Sequence, residues 1–211
     1  MPRQMVLSLV ASALSIERGG RLVLEDIEFS VAAGEALLVT GPNGTGKTTL
    51  LRAIAGFLQP ASGAIRLHNG DPERDVSQHC HYAGHLDAVK SRLTVSENLA
   101  FWTDYLSGTT DKTSEALSAF DLADLAHVTA GYLSAGQRRR LGLARLLTAQ
   151  RPIWLLDEPT VSLDEDSRSR FAALVKSHLA RGGIVIAATH VDLGLPAAKH
   201  LQLSTSRKAA A

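Results

Sequence analysis

Cysteine is almost absent. Cys80 is the only one among 211 residues, so no disulfide can form within the chain, and a reducing compartment fits. Charge of one sign is lacking too. The 22 Lys and Arg residues stand against 21 Asp and Glu, which leaves no charge argument for a nucleic acid or an anionic membrane as partner. No run of about 18 apolar residues occurs, so no segment is expected to cross a bilayer as a helix. The opening Met1-Pro2-Arg3-Gln4-Met5 leads into a short mixed stretch broken by Ser8, Ser12 and Glu17. It lacks the longer apolar region and small-residue cleavage site expected of a signal peptide. Internal repeats and low-complexity linkers are missing as well. Any membrane role is therefore expected to come through a partner. The length allows one domain, or one with a subdomain, and chain enough for a real core.

What is present begins with Gly41-Pro42-Asn43-Gly44-Thr45-Gly46-Lys47-Thr48-Thr49. It follows an apolar strand candidate, Ala36–Val39, and opens an apolar helix candidate, Thr49–Ala55. That strand, glycine loop and helix order is the context a phosphate-binding P-loop requires. Glycines let successive backbone N–H groups curl round an anionic phosphate chain, and the helix N-terminus adds its positive dipole end. Lys47 can then reach the outer phosphates, and the Thr48 hydroxyl is placed to ligate Mg²⁺. A nucleoside triphosphate is the implied ligand.

Either side of this loop the chain reads as an alternation. Residues 6–16 and 22–31 predict a hairpin with Arg18-Gly19-Gly20-Arg21 as its turn, and Ala64–Leu67 a short strand. His79–Gly84 reads as extended, with His79 and His81 on one face. His79, Cys80, His81 and His85 supply no diagnostic ligand spacing, so a strand and loop are expected there rather than a metal site. From about 94 to 149 the pattern is helical. Thr94 and Glu97 have the capping-box spacing, Leu99, Trp102 and Leu106 share a helix face, and residues 112–127 and 136–149 continue as helices. Ile153–Leu156 predicts a strand, residues 165–180 a helix, and Gly183–Ala188 and His200–Leu203 further strands, with a basic, alanine-ended tail expected to fray. The sum predicts a parallel α/β core, an antiparallel edge from the N-terminal third and a helical insert.

Two further pieces carry chemistry. Ile153-Trp154-Leu155-Leu156 delivers Asp157 and Glu158 at its carboxyl end, where open α/β sheets place ligands. Asp157 suits the Mg²⁺ hydration shell; Glu158 suits orienting and polarising an attacking water, since phosphoryl transfer depends on positioning and charge stabilisation. Leu133-Ser134-Ala135-Gly136-Gln137 precedes a helix, so Ser134, the Gly136 amide and the helix N-terminus make another anion site. A plain turn with an N-cap would explain the same residues if they stood alone.

These motifs, with the Ser162-Leu163-Asp164 turn and the strand end at Thr189-His190, resemble the ATP-binding cassette (ABC) ATPases over essentially the whole chain. The resemblance implies an α/β P-loop NTPase of the ABC-ATPase type with a mixed-sheet core, an N-terminal antiparallel β subdomain and a helical subdomain at about 86–149. All would lie in one domain over 1–211. It implies ATP and Mg²⁺ as cofactors, with Ser134, Gly136 and Gln137 completing the ATP site of an opposite subunit. Asp164 would lie across that interface and His190 would sense the γ-phosphate. With one P-loop and one such turn, the chain would need a second cassette, most simply a second copy of itself.

Three positions depart from the commonest family pattern. Arg18 takes the place of an aromatic ring for adenine, and a guanidinium can stack there instead. His85 replaces the loop glutamine that touches Mg²⁺ and water, so a more pH-sensitive site is expected. Ala135 replaces a glycine. The stretch Gly84–Thr94 with Glu97-Asn98-Leu99 is similar to ATP-binding subunits of the bacterial cytochrome c maturation system, the haem-exporter type. Such a subunit would work at the cytoplasmic face of the inner membrane, bound to an integral permease subunit, in haem export or in ATP-driven release of a haem chaperone. Another small ABC exporter, or a non-transport ABC ATPase, is the alternative. A chromosome-maintenance cassette is disfavoured because no long coiled coil separates Lys47 from Ser134, and a tandem translation cassette because only one cassette is present. Arg138-Arg139-Arg140 reads as a helix face, not a nucleic-acid patch. Leu86, Val89, Phe101, Trp102 and Tyr105 fit either ordinary packing or a groove for a helix of the membrane subunit.

Overall fold

A computed structural model describes residues 6–106 and 112–204. These divide into two compact units, one from the described residues of Met1–Tyr82, Arg151–Glu158 and Ser177–Ala211, the other from those of Ala83–Gln150 and Pro159–Lys176. The tail expected to fray lies outside the described residues.

The first unit holds two sheets. β1 (Ser8–Arg18) and β2 (Arg21–Ala32) form the hairpin expected around Gly19-Gly20, and β4 (Ser62–His68) pairs antiparallel with β1 on its other side. The antiparallel strands thus form a sheet of their own, in the order β2-β1-β4, rather than an edge of the main sheet. The second sheet runs β5-β6-β7-β3-β8, with β3 (Ala36–Thr40), β5 (Cys80–Ala83), β6 (Ile153–Asp157), β7 (Ile184–Ala188) and β8 (Lys199–Gln202). β3 pairs parallel with both β7 and β8, and β6 parallel with β7. β6 and β7 are buried along their whole length. Continuous apolar runs are what a central parallel strand needs, because both faces are covered. Leu9, Leu14 and Ile16 of the hairpin, Leu50, Leu51 and Ile54 of α1 (Lys47–Ile54), and Ile153, Leu155, Ile184 and Ile186 form one core. Because β3 and β6 both run parallel to β7, the loop after β3 and the carboxylates after β6 emerge at the same end of the sheet. That placement creates the site.

His178 braces the other end of β6. Its ring stacks on Trp154 at 4.0 Å and 8°, and Nε2 donates to the Pro152 carbonyl at 3.1 Å. Burial pushes its pKa down to about 4, so the ring is neutral. His79 does not share a strand face with His81. It closes a 3-10 turn, Val76–His79, where its Nε2 accepts from the Asp71 amide and its Nδ1 donates to the Asp75 carbonyl.

The second unit is helical: α2 (Val95–Leu106), α3 (Thr113–Ala119), α4 (Ala135–Ala144) and the greater part of α5 (Glu165–Ala180). The Thr94 capping box is present. Glu97 Oε2 accepts from the Thr94 amide at 2.7 Å and Thr94 Oγ1 from the Glu97 amide at 3.1 Å. Two helices are shorter than expected. α3 stops at Ala119 because Asp121 adopts φ 54, a left-handed conformation a helix cannot continue through. α4 tightens into a 3-10 turn at Arg145–Leu147. Among the described residues no helix is long and apolar enough to cross a membrane.

Candidate functional site

The P-loop is built by steric exclusion. Gly41 has φ 139 and a Cβ there would run into the Leu203 carbonyl; Gly46 has φ 99 and a Cβ would lie 2.7 Å from Leu24 Cδ2. Only glycine meets both demands. α1 therefore starts at Lys47, earlier than its apolar periodicity indicates, with no side-chain cap and no acidic residue in its first turn. Its N-terminal amides and dipole are left for an anion. Lys47 is buried, and its Nζ donates to the Gly41 carbonyl at 2.6 Å and the Pro42 carbonyl at 3.1 Å.

Around this loop lies a cavity of about 600 Å³. Its walls are Arg18, Gly19 and Val23 of the hairpin, Asn43, Gly44, Gly46, Lys47, Thr48 and Thr49, and the strand-end pair Asp157 and Glu158. Residues far apart in sequence are thus brought together, with Arg18 on the hairpin wall. Thr48 Oγ1 donates to Asp157 Oδ1 at 3.2 Å. A hydroxyl and a carboxylate this close are hard oxygen donors of the kind Mg²⁺ takes alongside phosphate oxygens. Glu158 has φ 47, a strained conformation for a residue with a Cβ, held by its amide donating to the Ala188 carbonyl at 2.8 Å. His190, after β7, places Nε2 3.7 Å from Glu158 Oε1.

Sequence reasoning missed Tyr82. Its hydroxyl donates to Asp157 Oδ2 at 3.4 Å and accepts from Arg52, its ring meets Phe57 edge-on, and burial raises its pKa.

The remaining predicted site residues belong to the helical unit. Ser134 caps α4: its Oγ accepts from the Gln137 amide at 3.2 Å, and Gln137 Oε1 accepts from the Ser134 amide at 2.9 Å. The turn-with-cap geometry is therefore present. A Cβ on Gly136 would lie 3.0 Å from the Ser162 carbonyl, and Ser162 itself has φ 65. This close approach brings the Ser134 turn beside the Asp164 turn. Asp164 Oδ1 accepts from the Ser167 amide at 2.8 Å, and Ser167 holds its carboxyl below the usual range. His85 is exposed on the loop before α2. Each of the three consecutive arginines is engaged: Arg138 with the Leu133 carbonyl, Arg139 with Asp87, and Arg140 with Asp121.

The strand end, the glycine loop and the carboxylate pair define a P-loop nucleotide-binding ATPase. Residues 24–161 match the ABC transporter family. A cytochrome c biogenesis ATP-binding export protein CcmA from Nitrobacter winogradskyi is 52% identical over 92% of this chain and 97% of its own length. The protein of the same name from Rhizobium meliloti is 51% identical over 93% and 97%. Among solved structures, an ATP-binding cassette captured as a dimer in a post-hydrolysis state with ADP and Pi superposes with a TM-score of 0.79 at 22% identity, over 93% of this chain and 94% of that one. The chain belongs to the ABC transporter family and, within it, to the cytochrome c biogenesis ATP-binding export proteins of the CcmA type.

Proposed function

We propose that this chain is the ATP-binding and ATP-hydrolysing subunit of an ABC export complex of cytochrome c biogenesis, working at the cytoplasmic face of the bacterial inner membrane. The observation that carries the reading is the meeting of Lys47, Thr48, Asp157 and Glu158 in one cavity at the carboxyl end of a parallel sheet. Residues Gly41–Thr49 cradle the triphosphate with backbone amides, and Lys47 turns from the loop carbonyls to the outer phosphates. Thr48 and Asp157 would hold Mg²⁺, which would supply neutralising charge to the phosphate oxygens. Glu158 orients the attacking water, with His190 beside it and His85 contributing from its loop. Arg18 faces the base in place of an aromatic ring.

One ABC domain with a helical subdomain carries only one P-loop and one Ser134 turn. Two cassettes, most simply two copies of this chain, therefore assemble head to tail, with Ser134, Gly136, Gln137 and Asp164 serving the opposite nucleotide. The integral permease subunit docks on the helical unit. Phe101 and Tyr105 stack there at 6.1 Å with Trp102 edge-on to both, and Leu86 and Tyr105 are 81% and 72% exposed. Such a cluster suits a helix of an apolar partner. ATP turnover then drives haem export or release of a haem chaperone.

The test is purification of the tagged chain in mild detergent, with mass spectrometry of what accompanies it and ATPase assay of the product. An integral membrane protein should come along and ATP should be hydrolysed; a chain recovered alone and inactive would contradict the reading.

A further inference from the structure

Arg139 sits one turn into α4 after the Ser134 cap, and it is 5% exposed. A guanidinium stays charged and offers its donors in a fixed plane, so burying one demands acceptors set to match. Nη1 donates to the Gly84 carbonyl at 2.8 Å and to Asp87 Oδ1 at 2.9 Å; Nε donates to the Pro159 carbonyl at 3.0 Å. Those partners fall at telling places. Gly84 comes just before His85 and Asp87 shortly after it, so a single nitrogen grips the loop on both sides of that histidine. Pro159 directly follows Glu158.

Gly142 of the same helix supports the arrangement. A Cβ there would meet Asp87 Cβ and the Asp87 carbonyl, each at 2.9 Å. Glycine is disfavoured inside a helix, and here it lets α4 close on the Asp87 loop. His85 itself is exposed, so its place is set by the backbone that Arg139 holds.

We propose that Arg139, paired with Asp87, is a positioning residue for hydrolysis. From the helix that carries the Ser134 turn it fixes the loop of His85 and the backbone after Glu158. The inference rests on the roles given to His85 and Glu158 above. Within the helical unit it ties the Ser134 turn to the His85 loop and to Pro159.

The test uses Asp87→Asn and Arg139→Gln in the complex with its membrane partner, each alone and in a His85→Ala background. Steady-state turnover and equilibrium binding of a non-hydrolysable ATP analogue are both measured. Asp87→Asn keeps size and removes charge at a site whose side chain is 20% exposed, so it folds even if Arg139→Gln does not. Asp87→Asn should lower kcat several-fold and Arg139→Gln about tenfold or more, with KM and analogue affinity within about twofold of wild type. In the His85→Ala background Asp87→Asn should cost nothing further, because the group it positions is gone. Wild-type kcat in Asp87→Asn, a loss that multiplies with His85→Ala, or a raised KM at unchanged kcat would overturn the inference. Full activity in His85→Ala would remove the role it rests on, and full activity in Glu158→Gln would overturn the site reading itself.

Discussion

Glu158 combines a carboxylate at a strand end, a left-handed backbone and a histidine 3.7 Å away. Strain of this kind persists only where the surroundings enforce it, and here the Ala188 carbonyl does so. Glu158→Gln is expected to lower ATP turnover by on the order of 10²–10⁴-fold while nucleotide binding stays largely intact, measured by steady-state hydrolysis beside equilibrium binding. Lys47→Ala should do the reverse at the binding step, and an unchanged ATP dissociation constant would count against its place on the phosphates. For the proposed place of Arg18 against the base, competition binding should show little preference for ATP over GTP; a strong preference would mean that another ring holds adenine. At this scale the sequence was legible wherever chemistry lies in a contiguous motif, as in Gly41–Thr49 or Asp157-Glu158. It was not legible for Tyr82 on Asp157 or Arg139 on Asp87. Those contacts join residues remote in sequence, and no local spacing encodes them.

Elements are legible in the sequence where a single period or cap dominates. β6 and β7 declare themselves as apolar runs, and α2 by Thr94 and Glu97. Their ends are less legible. α1 begins at Lys47 because the glycine before it adopts φ 99, which apolar periodicity does not report, and α3 ends early on the left-handed Asp121. The antiparallel strands were legible as strands, but their separation into a second sheet depends on long-range pairing of β1 with β4. One element-scale consequence concerns acid. His178, buried between Trp154 and the Pro152 carbonyl, has a folded pKa of about 4 against the usual 6.5. Unfolding exposes it to protons that the folded state refuses. Its contribution is therefore intact above pH 6.5 and is lost as pH falls from 6.5 towards 4, a loss of about 3 kcal/mol. Denaturant midpoints at pH 7 and near pH 4 should show this loss in the wild type and a smaller one in His178→Phe. Equal losses in the two proteins would mean that His178 carries none of it. In the helical unit, Ser134→Ala removes the cap of α4 and should destabilise it by about 1 kcal/mol, read as a lower melting temperature.

For the molecule as a whole, the family was legible because several independent motifs occur in one order along the chain. The partner subunit and the cargo were not, since neither leaves a contiguous signature. The central claim is that each ATP is held by the P-loop of one chain and the Ser134 turn of another. It is tested most directly by mixing two inactive variants, Lys47→Ala and Ser134→Arg, in the complex. A mixed pair then has one intact composite site, formed by the P-loop of the Ser134→Arg chain and the turn of the Lys47→Ala chain. The account predicts that ATPase activity returns on mixing, although neither variant hydrolyses ATP alone. No activity from mixed pairs, with their assembly confirmed by differential tags, would contradict it.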